Sequence, residues 1–349
     1  MMTHPDFYNI ETYDYMLPQE LIAQKPVDPR DSCRLMAVHR GSGLIEHRHF
    51  CDILDYLNPG DVLVRNDTRV MAARLEGVKV NGSAKSEILL LRPRDQAEKE
   101  WEALVRPGRK LPDGSKVQLI DGTVVTIGAV LSDDGVRAVK FPEDCCVRDI
   151  EERSGTMPLP PYIHERSSRP EDYQTVYSKE PRSAAAPTAG LHFTQELLRK
   201  VSSSGVEIAD ITLEVGIGTF RPVKTTDIRE HTMHTEKCVI PQAAYDKIMT
   251  AKRNGSRVVA LGTTVVRTLE GMAAAGGLRP GSLETGIFIY PGFKYQIIDS
   301  LITNFHLPKS TLIMLVAAFA GYDLTMRAYA EAVKERYRFF SFGDAMVIL

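Results

Sequence analysis

Between residues 81 and 135 the chain carries Asn81-Gly82, Asp113-Gly114, Asp121-Gly122 and Asp134-Gly135. Each dipeptide supplies the positive φ angles that a tight hairpin turn demands. The runs beside them (DVLVRN, SEILLLR, WEALVR, KVQLI, TVVTIGAVL and VRAVKF) are rich in β-branched residues, as half-buried strands are. Residues 60–154 are therefore expected to form a small antiparallel β-barrel-like domain. Beyond it the period changes. Thr194 precedes the helical pattern QELLRKVSSS, and VEIADITLEV, QAAYDKIMTAKRN, RVVALG, TTVVRTLEGMAAA and TGIFIY then alternate strand, helix, strand, helix, strand. Such alternation predicts an α/β domain, a mostly parallel sheet flanked by helices. The expected organisation is an α/β catalytic domain of residues 1–59 and 155–349 with the barrel-like domain of 60–154 inserted in it.

Upstream, RLMAVHRGSGLIEHRHF reads as a hairpin and FCDILDYL as one short helix stopped by Asn58-Pro59-Gly60. Between the two patterns lies a proline-broken, aromatic stretch from Met157 to Gly190. It reads as a long ordered loop, and long ordered loops are often functional. Lys and Arg number 43 against 45 Asp and Glu, a net charge of −2. Any nucleic-acid contact must then come from local patches, since bulk attraction to a polyanion needs a strongly basic chain. Arg106–Lys110 and Arg336–Phe340 are such patches, although most charge clusters are solvated faces. Five cysteines without disulfide-scaffold spacing argue for reduced thiols, with the vicinal Cys145 and Cys146 in a strand. The N-terminus has early acids and no apolar core of signal-peptide length, so a cytoplasmic location is expected.

Several segments carry candidate chemistry. ITLEVGIGTFRP places Gly216 and Gly218 after a strand, but a dinucleotide fingerprint would need a third glycine where Arg221 stands. GTTVVRTLEG puts Thr263 and Thr264 at a helix start after a strand, suited to an anion or to simple N-capping. Arg267 one turn on can pair with an anion or an internal carboxylate. On a helix His231, His234 and Cys238 would share a face, yet no fourth ligand sits near, and no metal site is expected. His192, with Thr188 in a Pro/Gly turn before a helix, is placed where a base or donor could face a crevice. A purely structural histidine is the alternative. NDTRV gathers Asn66, Asp67, Thr68 and Arg69 at a strand end, as a solvated hairpin end also would.

In LITNFHLPKSTLIMLVAAFAG the apolar run Thr311–Ala320 would be about 15 Å long as a helix, too short for a hydrocarbon core of about 30 Å. It reads as a buried helix, capped near Ser310 and ended by Gly321, that holds Asn304 and His306 at a pocket.

Taken together, NDTRV, PPYI, YQTVY, AAPTAGLHFT, VGIGTFRPV, GTTVVRTLEG, FIYPGF, LITNFHLPKSTLIMLV and YRFFSFGDAMVIL closely resemble the S-adenosylmethionine:tRNA ribosyltransferase-isomerase family of the queuosine pathway. The resemblance runs from about Tyr13 to the C-terminus. It implies a transferase that moves the ribosyl part of S-adenosylmethionine onto 7-aminomethyl-7-deazaguanine at the wobble position of a tRNA with a GUN anticodon. Adenine and methionine would be released. S-Adenosylmethionine is then a co-substrate, and no cofactor, metal or membrane is implied. It further implies acid–base work at His192, Glu214 and Asp67, Glu214 standing where the family pattern has histidine. Substrate contacts are implied at Arg69, Thr188, Thr263, Thr264, Arg267, Asn304, His306 and Arg338. Two other readings are an RNA-binding module without chemistry and a methyltransferase using the same donor, although the glycine loop usual in the latter is absent from the start of the fold.

Overall fold

The computed structural model describes residues 5–132, 135–164, 169–216, 223 and 225–349. Two compact units emerge, one of Met1–Thr68, Pro161–Glu180 and Pro187–Leu349, the other of Arg69–Pro160 and Pro181–Ala186. The strands are β1 (Arg34–Val38), β2 (Ile45–His49), β3 (Val62–Asn66), β4 (Arg69–Val70), β5 (Arg74–Lys79), β6 (Lys85–Pro93), β7 (Glu100–Arg106), β8 (Lys116–Leu119) and β9 (Val124–Val130). They continue with β10 (Val136–Lys140), β11 (Pro181–Ser183), β12 (Glu207–Leu213), β13 (Glu236–Ile240), β14 (Val258–Leu261), β15 (Gly281–Thr285), β16 (Ser300–Asn304) and β17 (Ala345–Ile348). The α-helices are α1 (Val147–Ser154), α2 (Gln195–Ser203), α3 (Gln242–Arg253), α4 (Thr263–Ala274), α5 (Thr311–Ala320) and α6 (Tyr322–Lys334).

The first unit is built on a nine-stranded sheet of order β15-β13-β12-β3-β14-β16-β17-β1-β2. Its centre, β12-β3-β14-β16, is parallel, as the alternating helices require. Both flanks turn antiparallel, β13 and β15 on one side and β17 against β16 on the other. Strand alternation divides the core between the two faces. Val62, Val64, Ala260 and Leu301 pack with α3 to α6, whereas Leu63, Leu261 and Ile302 pack with Phe50, Phe193 and α2. Helix ends follow local chemistry: the Thr194 hydroxyl accepts from the Leu197 N–H at 3.1 Å at the start of α2, and the Ser310 hydroxyl caps α5 at Ile313. α5 is buried on nearly all sides. No single helix among the described residues is long and apolar enough to cross a membrane; α5 and α6 meet at Gly321 with a bend of 117°.

The second unit is a closed antiparallel barrel, β10-β7-β6-β5-β8-β9. Leu75, Ile88, Leu90, Trp101, Val117, Val125, Ile127 and Val139 fill it. Its β5 contains Gly77, where a Cβ would stand 2.5 Å from the Gln118 carbonyl oxygen. Glycine there lets two strands approach closely, and it interrupts the apolar pattern that would have marked the strand.

Four local expectations change. DVLVRN forms β3, in the large sheet and not in the barrel. FCDILDY winds as a 3₁₀ helix. Cys145 and Cys146 precede α1 and lie outside any strand. The edge strand is β15, GSLET, and not the apolar TGIFIY that follows it.

Candidate functional site

Because β12, β3, β14 and β16 are parallel, their carboxyl ends lie along one edge of the sheet, where ligands of open α/β sheets settle. That edge presents Asn66-Asp67-Thr68, Glu214, Gly262-Thr263-Thr264 and Asn304-Phe305-His306. Gly262 has φ +94° and ψ 160°, a combination essentially confined to glycine. Through it the turn Thr188–His192 comes close: a Cβ on Gly262 would be 3.4 Å from the Ala189 Cβ.

Asn304 ties that turn to the sheet. Its Nδ2 donates to the Phe340 carbonyl at 3.1 Å and to His192 Nε2 at 2.9 Å, while its Oδ1 accepts from the Thr188 hydroxyl at 3.2 Å. The Phe340 carbonyl is an obligate acceptor, so it fixes the amide orientation and makes Nε2 an acceptor. The proton of the imidazole is therefore on Nδ1, which donates to Cys33 Sγ at 3.2 Å. His192 is 4 % exposed. Burial, aided by the Arg338 and Arg30 charges, lowers its pKa to about 3. Burial likewise pushes the Cys33 thiol up. The ring is neutral and has no unpartnered nitrogen, so it accepts a proton only when Asn304 releases Nε2.

On β12 the alternation brings Asp210 and Thr212 beside β3. Asp67 accepts from the Thr212 hydroxyl at 2.7 Å and pairs with Lys179 Nζ at 3.0 Å. Lys179 also reaches Asp210 at 2.8 Å, and Asp210 holds Arg65 at 2.6 Å. Asp67 thus belongs to a chain of four alternating charges. Glu214, one residue past β12, is half-buried with Lys237 Nζ at 3.8 Å.

The α4 side holds a separate group. Arg267 and Glu236 form a buried ion pair, 7 % and 5 % exposed. Arg267 Nη2 also donates to the His234 carbonyl at 3.3 Å, and Glu236 Oε1 accepts from the Gly216 N–H at 3.1 Å. The pair lines a cleft with His231, Phe288 and Leu312. His306 is 8 % exposed and its Nε2 meets the Thr303 hydroxyl at 2.9 Å. Burial lowers its pKa to about 3. Its carbonyl accepts from Tyr15 and its N–H donates to the Tyr329 oxygen at 3.1 Å. Every one of these contacts holds His306 inside the protein.

The expected site residues are thus partly gathered. Asn304 hydrogen-bonds both Thr188 and His192, and Asp67, Glu214, Thr263, Thr264 and Arg267 come to the same sheet edge. Neither threonine caps α4 through its side chain, since Gly262 occupies the cap, and the Thr264 hydroxyl is buried without a partner among the described residues. Arg267 pairs with an internal carboxylate. Arg69 lies in the barrel unit. Arg338 donates to the Lys25 and Phe342 carbonyls at 3.2 and 2.6 Å, which closes the C-terminal turn. The stretch 217–222, with Gly218 and Arg221, lies outside the described residues. The segment holding His231 and His234 is irregular and leads into β13, not a helix, and Cys238 Sγ faces the Leu283 carbonyl. Among the described residues no three His, Cys, Asp or Glu side chains group as metal ligands do.

Two residues escaped the reading of the sequence. Glu236 stands in a stretch weighed only for its His and Cys as metal ligands; read with period two, Glu236, Cys238 and Ile240 share a face. Cys33 carried only a redox signal in the sequence, and its role beside His192 needed the fold.

The chain matches known proteins over nearly its whole length. The family model described as "Queuosine biosynthesis protein" matches residues 10–348. An S-adenosylmethionine:tRNA ribosyltransferase-isomerase from Symbiobacterium thermophilum is 54 % identical over 97 % of this chain and 99 % of its own. One from Clostridioides difficile is 53 % identical over 96 % and 98 %. The crystal structure of S-adenosylmethionine tRNA ribosyltransferase from Thermotoga maritima shares 41 % identity and a TM-score of 0.57, covering 97 % of this chain and 100 % of that one. A family-model match over residues 10–348 and relatives more than half identical over nearly the whole length place the chain in the queuosine biosynthesis protein family, among the S-adenosylmethionine:tRNA ribosyltransferase-isomerases.

Proposed function

We propose that this enzyme transfers the ribosyl part of S-adenosylmethionine to 7-aminomethyl-7-deazaguanine at the wobble position of a cytoplasmic tRNA with a GUN anticodon. It isomerises that group to an epoxycyclopentanediol and releases adenine and methionine. Membership of the family over residues 10–348 carries the reading. In the proposed course a proton leaves the carbon beside the sulfonium and the ribose opens as adenine departs. The base's amine then attacks, and rearrangement expels methionine. S-Adenosylmethionine is consumed as a co-substrate, and the steps call for no metal or redox cofactor.

The chemistry needs a base near the sulfonium, a donor for adenine and anchors for the methionine part. Glu214 is the carboxylate best suited to the first role: half-buried at a strand end, it has a suitable charge to face a sulfonium. Asp67 is held by Lys179 and Thr212, which suits an electrostatic role beside it. His192 serves through its Nε2, uncovered by movement of Asn304, or by holding the Thr188 turn in place. The cleft beside α4 takes the donor, with Arg267 in its lining, and Thr263 and Thr264 at the start of the same helix. His306 is assigned to the support of the sheet edge, and Arg69 and Arg338 to the RNA.

The test is incubation with S-adenosylmethionine and tRNA bearing the aminomethyl base. Adenine and methionine should appear in step with modified tRNA. S-Adenosylhomocysteine instead would indicate methyl transfer, and binding without turnover an RNA-binding module. Glu214→Gln should lower kcat by about 10²-fold or more, the usual yield of a positioned proton acceptor; a near-normal rate would remove Glu214 from that role.

A further inference from the structure

Glu236 is buried at the carboxyl edge, and the chain has placed two unlike partners on its two oxygens. Oε1 receives the N–H of Gly216, from the turn after β12, and Oε2 receives Arg267 from α4. Burying both members of an ion pair carries a desolvation cost that attraction between them only partly offsets, so such a pair is weak evidence of a stability role. Its geometry points elsewhere. The guanidinium is held at Nη1 by Glu236 and at Nη2 by the His234 carbonyl, while its Nε–H, also buried, has no partner among the described residues. A buried N–H without an acceptor is expensive. Arg267 lines the cleft whose other walls include Met233, Phe288 and Leu312. The wall of the cleft therefore holds a fixed cation, already largely neutralised by Glu236, whose one uncommitted directional donor is itself buried behind that wall.

We propose that Glu236 is a positioning residue of the transfer reaction: it fixes Arg267 and the Gly216 amide so that the Arg267 Nε–H meets an acceptor atom of the nucleoside donor in the cleft. This rests on the reading that the cleft takes S-adenosylmethionine. Neutralisation by Glu236 suits Arg267 to a neutral acceptor, such as a ring nitrogen or ribose oxygen, on a donor that itself carries a positive sulfonium. An unpaired arginine there would repel that sulfonium.

The test uses the full-length protein and three variants. Glu236→Gln keeps the shape and an acceptor for Gly216 but removes the charge. Calorimetric binding of S-adenosylmethionine without tRNA should weaken about 10-fold or more, as losing a charge-assisted contact does, and the KM for that donor should rise while the KM for tRNA holds. Arg267→Gln should do the same. The double variant carries no unpaired buried charge, so its melting temperature should recover, yet its donor affinity should not. Recovery of both would make the pair purely structural and overturn the proposal. Donor affinity within twofold of wild type in Glu236→Gln would overturn it as well. Wild-type protein that releases no adenine with donor and tRNA would instead refute the function, a result read independently of the variants.

Discussion

At the scale of single residues, the distinctive feature is a pair of neutral histidines at the sheet edge. His192 and His306 both have pKa values lowered by burial from 6.5 to about 3. In the unfolded chain each takes up a proton below about 6.5, whereas the folded protein does not until about 3. Between these values the unfolded state binds more protons, so stability rises with pH through the window and falls as acid is added. Above about 6.5 both states are neutral and the contribution is flat. Each histidine should impose a slope of about 1.4 kcal/mol per pH unit inside the window. Replacing His192 with Gln, which keeps an acceptor toward Asn304, should reduce the slope of unfolding free energy between pH 4 and 6 by about one proton. Urea denaturation at several pH values measures this. An unchanged slope would mean that the imidazole is protonated in the folded protein.

At the scale of elements, the approach of the Thr188–His192 turn to the start of α4 depends on Gly262. Its φ of +94° and ψ of 160° would cost an alanine about 1–3 kcal/mol, and the added Cβ would press on Ala189 at 3.4 Å. Gly262→Ala should lower the melting temperature and, by displacing Thr188 from Asn304, reduce turnover more than the stability loss alone implies. Full activity at a temperature where the variant is folded would show that the turn is not held this way. Much of this was legible beforehand. The strand, glycine and helix of GTTVVRTLEG, the capped α2 and the buried α5 follow from local period and capping residues. The edge strand β15 did not. GSLET is largely exposed and has no apolar alternation to announce it; its pairing with β13 is decided by a distant segment. The apolar run after it packs on the core of the first unit, with Ile289 buried in it and Ile287 and Phe288 against it, so hydrophobicity marked packing and not a strand. In the same way Asn304 was readable as polar beside an apolar helix, whereas its choice of His192, Thr188 and Phe340 as partners required three segments remote in sequence.

At the scale of the whole molecule, net charge sets the terms on which tRNA is met. At −2 the protein has no overall attraction for a polyanion, and affinity must be built from a small number of local contacts whose salt dependence counts them. The barrel carries one compact cation group, Arg106, Arg109 and Lys110, all exposed in and around a single 3₁₀ turn. If each meets a phosphate, the slope of log affinity against log salt should carry about 0.7 from each, the value for a single strand, hence about 2 from the group. Replacing all three with alanine should therefore weaken tRNA binding most at low salt, flatten that slope by about 2, and leave S-adenosylmethionine binding untouched, because none of the three lines the cleft beside α4. Filter binding over a salt series measures the slope, and calorimetry the donor. A variant with unchanged slope would free the barrel turn of any phosphate contact and shift the search to the other basic group, Arg336 and Arg338. One that lost donor affinity as well would show that the substitutions act through the fold and not through charge.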